Sequence, residues 1–324
     1  MRSPPAIAIH EASFHRWLQR HLPAGRSGLL PLGDDAAAIP LGHGRALVLT
    51  TDALVEGTHF RAGSPPRLVG RAAAAVSLSD AGAKAARPIA VLLDILAPRG
   101  SREAWARSVA QGAEEMAAQF GCHLVGGDTK PSSRRAVVST VAALGRTLAL
   151  APRTGARAGD LVVTTGTVGR GGWAAMKLAR EPSPTARTLR LLLSVQPRVR
   201  EGGILGPYVH GMLDTSDGLA EAAHLLAGAS GVRVILEWER LPLAPQWRRP
   251  RTTQAELHRW VFFGGDYELF ATLDARRLAR VQRLLQRTST PLSVVGRVER
   301  GAGAWLSEGG KTKPLAHAGW KPFG

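Results

Sequence analysis

The acidic residues of this chain sit where carboxylates do chemistry, at strand ends beside glycines and hydroxyls. Asp34 and Asp35 follow Gly33, Asp52 follows Thr50 and Thr51, and Asp128 follows Gly126 and Gly127. Asp214 and Asp217 enclose Thr215 and Ser216 ahead of Gly218, Asp266 follows Gly264 and Gly265, and Asp80 interrupts a stretch of alanines; only Asp94, Asp160 and Asp274 lie in other settings. Glycines let a backbone approach phosphate, and Mg2+ binds carboxylates together with substrate phosphates while keeping several waters. The pattern therefore points to hard-cation sites serving phosphoryl transfer, a reaction run by metals and positioning.

Taken singly, each motif has a plainer explanation. Asp and Ser are favoured helix N-caps, which would account for residues 214–218. A Gly-Gly-Asp string makes a good turn, Asp80 could form an (i, i+4) pair with Lys84, and a lone histidine such as His59 is more often structural. The weight lies in their number and order.

The surrounding elements read as α/β. An apolar run at 47–49 predicts a buried strand delivering Thr50, Thr51 and Asp52 to a loop. An Ala-rich helix over 66–86 follows, ended by Pro88, then a strand at 89–96, a helix over 101–120 with Ser101 as its N-cap, and short strands at 122–125 and 136–144. The second half gives strands at 160–165 and 292–298 and a further strand entered from 264–270, helices over 185–195 and 274–286, and a helix that residues 212–219 enter and that ends near 231. Gly169-x-Gly171-x-x-Ala174 loosely matches a dinucleotide fingerprint but lacks the acidic residue that should close the next strand. Gly309-Gly310-Lys311-Thr312 imitates the end of a Walker A loop, yet Trp305 stands where that motif needs glycine, so Lys311 reads as a solvated turn residue.

Composition narrows the function class. The 324 residues, 44% hydrophobic, suit two domains, and no apolar run is long enough to span a bilayer. No secretory h-region is evident near the first residues, and the single Cys122 excludes an intramolecular disulfide, which fits a cytoplasmic protein. The net charge of +17 could serve nucleic acid, but the basic residues are dispersed and aromatics make up only 5%. An anionic small molecule matches the positive field as well.

The ordered series GDDAA (33–37), TTDALVEGTHF (50–60), SLSDAGAKAARP (77–88), LVGGDT (124–129), RTGARAGD (153–160), TGTVG (165–169), DTSDGLAEAAHLLAGASGV (214–232), GGDYEL (264–269) and VVGRV (294–298) resembles bacterial thiamine-monophosphate kinase, of the aminoimidazole-ribotide-synthetase-like superfamily. The resemblance covers residues 11–323. It implies an N-terminal domain (1–148) that forms a sheet or barrel across a homodimer, and a C-terminal α/β domain (149–324) that closes an ATP cleft. The implied reaction is direct transfer of the γ-phosphoryl group of ATP to thiamine monophosphate. By position, Asp35, Thr50, Thr51, Asp52, Asp80, Asp128, Asp214 and Asp217 resemble Mg2+ ligands, with Asp52, Asp128 and Asp214 the catalytic set. Gly127, Asp128, Arg153 and Ser216 resemble ATP contacts, and His59, Gly265 and Trp320 fall at substrate positions.

Three departures stand out. Gly265 occupies the place of a substrate-contacting Glu, Lys130 that of a second Thr, and Lys84 a normally apolar position. An ATP-dependent superfamily enzyme acting on another phosphorylated or carboxylated small molecule is therefore the alternative, and an inactive basic paralogue that binds nucleic acid is a second one.

Overall fold

The computed structural model describes residues 11–21, 28–181, 185–244 and 252–320. Helix α1 (Glu11–His21) precedes strands β1 (Ala37–Gly42) and β2 (Arg45–Val55), helix α2 (Pro66–Ala83), strand β3 (Arg87–Ala97) and helix α3 (Glu103–Ala118). Strands β4 (His123–Gly126), β5 (Thr129–Pro131) and β6 (Ala136–Arg146) complete a six-stranded sheet of order β1-β2-β6-β3-β4, with β5 also beside β3. Alternation along β2 buries Ala46, Val48, Thr50 and Leu54 on the sheet face covered by α2, as expected of a sheet with one covered face. The other face leaves Ile39, Leu41, Ile89, Leu92 and Val125 exposed.

The second half comprises β7 (Leu161–Thr165), α4 (Arg170–Arg180), α5 (Ala186–Leu193), α6 (Val199–Leu205), β8 (Val209–Asp214), α7 (Leu219–Ser230), β9 (Arg233–Glu237) and α8 (Gln254–Phe263). It continues with β10 (Leu269–Leu273), α9 (Leu278–Leu285), β11 (Leu292–Glu299), β12 (Gly303–Glu308) and β13 (Lys311–Pro314). These strands form a sheet of order β13-β12-β9-β11-β7-β10-β8. Alternate residues of its strands feed different cores: Leu213 and Phe270 pack with α7 and α8, while Met212 and Leu269 pack with α6 and α9.

Helix α2 joins the halves. Its alanines pack on β2 and β6 while its C-terminal part reaches β8 and α6. There Gly82 and Gly202 come so close that a Cβ on Gly202 would lie 1.9 Å from the Gly82 carbonyl oxygen. A side chain at either position would push the two halves apart.

Two expectations are corrected. Ser101 does not cap α3: its amide donates to the Pro98 carbonyl in the preceding turn, and Arg102 takes the cap position without a side-chain bond. Residues 214–218 lie outside α7, whose N-cap is Gly218 at φ 104° with no side-chain acceptor. Simple capping thus does not explain Asp214, Ser216 and Asp217. Cys122 is a buried free thiol, as expected. Lys311 is exposed at the start of β13, just past the Gly309-Gly310 turn. No described helix is long and apolar enough to cross a membrane.

Candidate active site

Where β2, α2 and β8 meet, three carboxylates gather. Thr50 donates through Oγ1 to Asp80 Oδ2 at 2.5 Å, which ties β2 to α2. Ser79, the neighbour of Asp80, donates to Asp214 Oδ2 at 2.6 Å and so ties α2 to the end of β8 in the other half. Ser216 folds back onto Asp214 Oδ1 through its hydroxyl at 2.7 Å and its amide at 3.2 Å. Asp52 accepts the Ala53 amide at 3.0 Å.

The electrostatics of this group are unfavourable. Burial and then the neighbouring charges of Asp214, Asp35 and Asp52 drive the Asp80 carboxyl well above its ordinary range. Asp52 is pushed up to about 6 by burial, with Asp214 adding to it. Asp214 is raised by burial and by Asp35 against the pull of its serine donors. Tyr267 at the same seam is raised by burial and by these carboxylates. Such mutual repulsion at a strand end marks a place for positive charge.

The donors are hard oxygens, and they fit Mg2+. Among the described residues no three His, Cys, Asp or Glu side chains close around one point tightly enough to hold an ion unaided. The site thus suits a cation that draws its remaining ligands from phosphate and water.

The Asp34-Asp35 turn is different. Lys84 does not pair with Asp80; its ammonium lies 2.6 Å from Asp34 Oδ1 and 2.8 Å from Asp35 Oδ2. Arg153 from the inter-domain connector holds Asp35 Oδ1 with Nε at 2.9 Å and with Nη2. Burial alone would lift the Asp35 carboxyl, but Lys84 and then Arg153 bring it below its ordinary value.

Beside the carboxylates opens a cavity of about 570 Å3, lined by Asp52, Ser216 and Asp217 and by His59, Phe263 and Trp320. His59 is set by the loop after β2: the Val55 amide donates to its Nδ1 at 3.0 Å. The neutral ring therefore carries its proton on Nε2, and burial keeps its pKa below the usual value. Trp320 lies 6.0 Å from the His59 ring and 5.8 Å, edge-on, from Phe263. Its amide is fixed by the Asp217 carbonyl at 3.1 Å. Gly265 borders the cavity at φ +83°, and a Cβ there would come within 3.3 Å of Gly171 Cα.

Asp266 turns away from the cavity and accepts the Gly169 and Gly171 amides at 2.6 and 2.7 Å. The glycine turn before α4, read as a loose dinucleotide fingerprint, thus spends its amides on an internal carboxylate.

The structure brings together Asp35, Thr50, Asp52, Asp80, Asp214, Ser216 and Arg153, and sets Asp217, His59, Gly265 and Trp320 around the adjoining cavity. Three candidates lie apart. Thr51 points to the opposite sheet face, where Thr140 donates to its hydroxyl at 3.0 Å. Gly127 and Asp128 are exposed beside β3, three strands from β2 and so about 14 Å away at ordinary strand spacing. Asp128 there faces Lys130 at 3.2 Å. Residues that sequence reasoning missed are Ser79, Tyr267 and Phe263. Ser79 directly precedes Asp80, Tyr267 directly follows Asp266 and Phe263 precedes the Gly264-Gly265 pair, so adjacency to a motif was the only available signal.

Comparisons with known proteins agree along the chain. The AIR synthase related protein N-terminal domain family matches residues 33–147, and the corresponding C-terminal domain family matches 157–305. A thiamine-monophosphate kinase of Caulobacter vibrioides is 32% identical over 98% of this chain and 91% of its own length. One of Halobacterium salinarum is 35% identical over 89% of this chain and 93% of its own. The solved structure of AaThiL complexed with AMPPCP and TMP superposes with a TM-score of 0.82 at 25% identity, covering 98% of this chain and 99% of that one.

Proposed function

The chain belongs to the thiamine-monophosphate kinase family, and we propose that it transfers the γ-phosphoryl group of ATP to thiamine monophosphate with Mg2+, giving thiamine diphosphate and ADP. The observation that carries this reading is a cavity, lined by Asp52 and by the rings of His59, Phe263 and Trp320, that opens beside the mutually repelling Asp52, Asp80 and Asp214. The AaThiL complex with an ATP analogue and TMP supports it.

In the reaction, an oxygen of the acceptor phosphate bonds to the γ-phosphorus as the bond from that phosphorus to the β,γ-bridging oxygen breaks. Mg2+, when bound, would neutralise phosphate charge, drawing protein ligands from among Asp52, Asp80 and Asp214 and the rest from phosphate and water. Asp80 and Asp214 are held at fixed positions by Thr50, Ser79 and Ser216, so little reorganisation is needed as charge develops. His59 is a neutral donor through Nε2, oriented by the Val55 amide. Trp320 and Phe263 offer faces to the cationic, aromatic acceptor. A buried thiol and an ATP donor fit the cytoplasm.

Gly127, Asp128 and Thr51 lie on or beside the open sheet face. The apolar residues exposed there support a homodimer in which this face is covered and Asp128 reaches the site from the second copy. Gly265 favours one second reading, a different phosphorylated acceptor, because the cavity wall has no carboxylate at that point. Purified protein with ATP, Mg2+ and thiamine monophosphate is expected to form thiamine diphosphate, read as its fluorescent oxidation product after chromatography. ATP turnover only with another acceptor would replace thiamine monophosphate as the substrate.

A further inference from the structure

Lys84 is a fully buried lysine whose side chain shows 0% exposure. It stands at the C-cap of α2. An ammonium has three N–H donors, and here they go to Asp34 Oδ1 at 2.6 Å, the Ala151 carbonyl at 3.0 Å and the Met212 carbonyl at 2.8 Å. That leaves none for Asp35 Oδ2, which is buried without a hydrogen-bond donor although the ammonium charge is 2.8 Å away. Asp34 Oδ2 accepts the Arg153 amide at 3.0 Å, and the Arg153 side chain occupies Asp35 Oδ1. Two carboxylates thus face two cations, and the turn, α2, the connector and β8 meet on one nitrogen.

Among the described residues no cation forms an ion pair with the three other carboxylates at this seam, although Arg153 is near enough to Asp214 to feel its charge. Hydroxyls and amides hold Asp52, Asp80 and Asp214. A divalent ion that took Asp34 or Asp35 as a ligand would have to outcompete a dry ammonium, and displacing that ammonium would leave its own charge buried. One that took Asp52, Asp80 or Asp214 would relieve repulsion.

We propose that Lys84 is a permanent internal counter-ion for Asp34 and Asp35, which removes this turn from metal binding and reserves the ions for Asp52, Asp80 and Asp214. The inference rests on the Mg2+-dependent reading above and narrows it, since Asp35 becomes a binder of Lys84 and Arg153. Unlike a metal, the ammonium cannot be chelated away, so the turn stays formed when ions are removed.

Hydrogen exchange on the full chain, in chelator and then with Mn2+ alone, tests this. Peptides spanning 50–54 and 214–218 are expected to slow by about tenfold when Mn2+ is added, while the peptide spanning 33–37 changes by less than about twofold. In Lys84→Met, counting bound Mn2+ by electron paramagnetic resonance is expected to show one more ion than in the unaltered protein, and exchange at 33–37 becomes Mn2+-dependent. An unaltered protein in which 33–37 responds to Mn2+ as strongly as 214–218 overturns the proposal, as does a folded Lys84→Met with an unchanged ion count. Should Lys84→Met fail to fold, exchange in the unaltered protein decides alone. A protein that forms thiamine diphosphate yet shows Mn2+-dependent exchange at 33–37 sinks only this inference, whereas one that binds no Mn2+ and forms no product sinks the kinase reading with it.

Discussion

At the charged end of the site Asp52, which lines the cavity, and Asp80 and Asp214 beside it are held by hydroxyls and amides, with no cation in contact among the described residues, whereas at the aromatic end Trp320, Phe263 and a neutral His59 line the cavity with rings that carry no formal charge. The first end costs stability in the free protein, because three buried acids repel one another. The second costs little, because rings pack on rings. Charge handling and acceptor recognition are thus separable, and each end should respond to mutation in its own kinetic constant.

The largest effect is expected from the charged end. Asp214→Asn keeps the shape and the Ser216 contact but removes a charge, and kcat should fall by about a hundredfold or more. Without metal the same variant should melt at or above the temperature of the unaltered protein, since a repulsive charge has gone. Steady-state kinetics and thermal unfolding in chelator check both halves. A variant that loses stability and keeps its kcat would show that Asp214 is structural.

Whether one chain holds the entire charged end is a sharper question, since Asp128 lies three strands away from Asp52. Asp52→Asn and Asp128→Asn should each be nearly inactive. If Asp128 comes from a second copy, unfolding and refolding an equal mixture yields heterodimers with one intact site, so about a quarter of full activity returns. No recovery on mixing would place both carboxylates in the same chain's site.

These residues also show how far a sequence can be read. The Asp motifs pointed to Asp52, Asp80 and Asp214 because strand-end and glycine contexts are local, and they met in space because α2 bridges the halves. Lys84 was visible only as an oddity. Its natural partner by helical spacing was Asp80, and its true partners lie about fifty residues earlier, a fact that only the packing of α2 on the Asp34-Asp35 turn decides. Thr51 could not be told from Thr50 by type, yet a strand's two-residue period sends it to the opposite face. The short elements β5, β13 and α6 and the strand β1 carry too little periodic signal to be read, and they are specified by the sheets and helices they join.

At the aromatic end the expected effect is smaller and falls on binding. Trp320→Ala should raise KM for thiamine monophosphate by about tenfold, the worth of one well-packed aromatic contact, with kcat changed by no more than about threefold. KM for ATP should stay as it was. A fall in kcat equal to the rise in KM would mean that Trp320 also orders the Asp217 turn, to which its amide is bonded.

The smallest effect separates the two ends without any mutation. Asp52, with a folded pKa of about 6, and the raised Asp80 and Asp214 bind more protons in the folded chain than in the unfolded one. Stability from these groups is therefore full below the ordinary carboxylate pKa of about 4 and is lost as pH rises through about 6. Asp266, also raised to about 6 by burial, contributes with the same sign but lies away from the cavity, against the Gly169 and Gly171 amides. Mg2+ competes with protons at the charged end and has no such claim on Asp266. Its stabilisation should accordingly be near zero at pH 5 and a few degrees, about 2–5 °C, at pH 7.5. In Asp52→Asn that gain should shrink, while the part of the pH dependence owed to Asp266 persists. Equal Mg2+ stabilisation at both pH values would mean that the ions bind somewhere other than at these carboxylates.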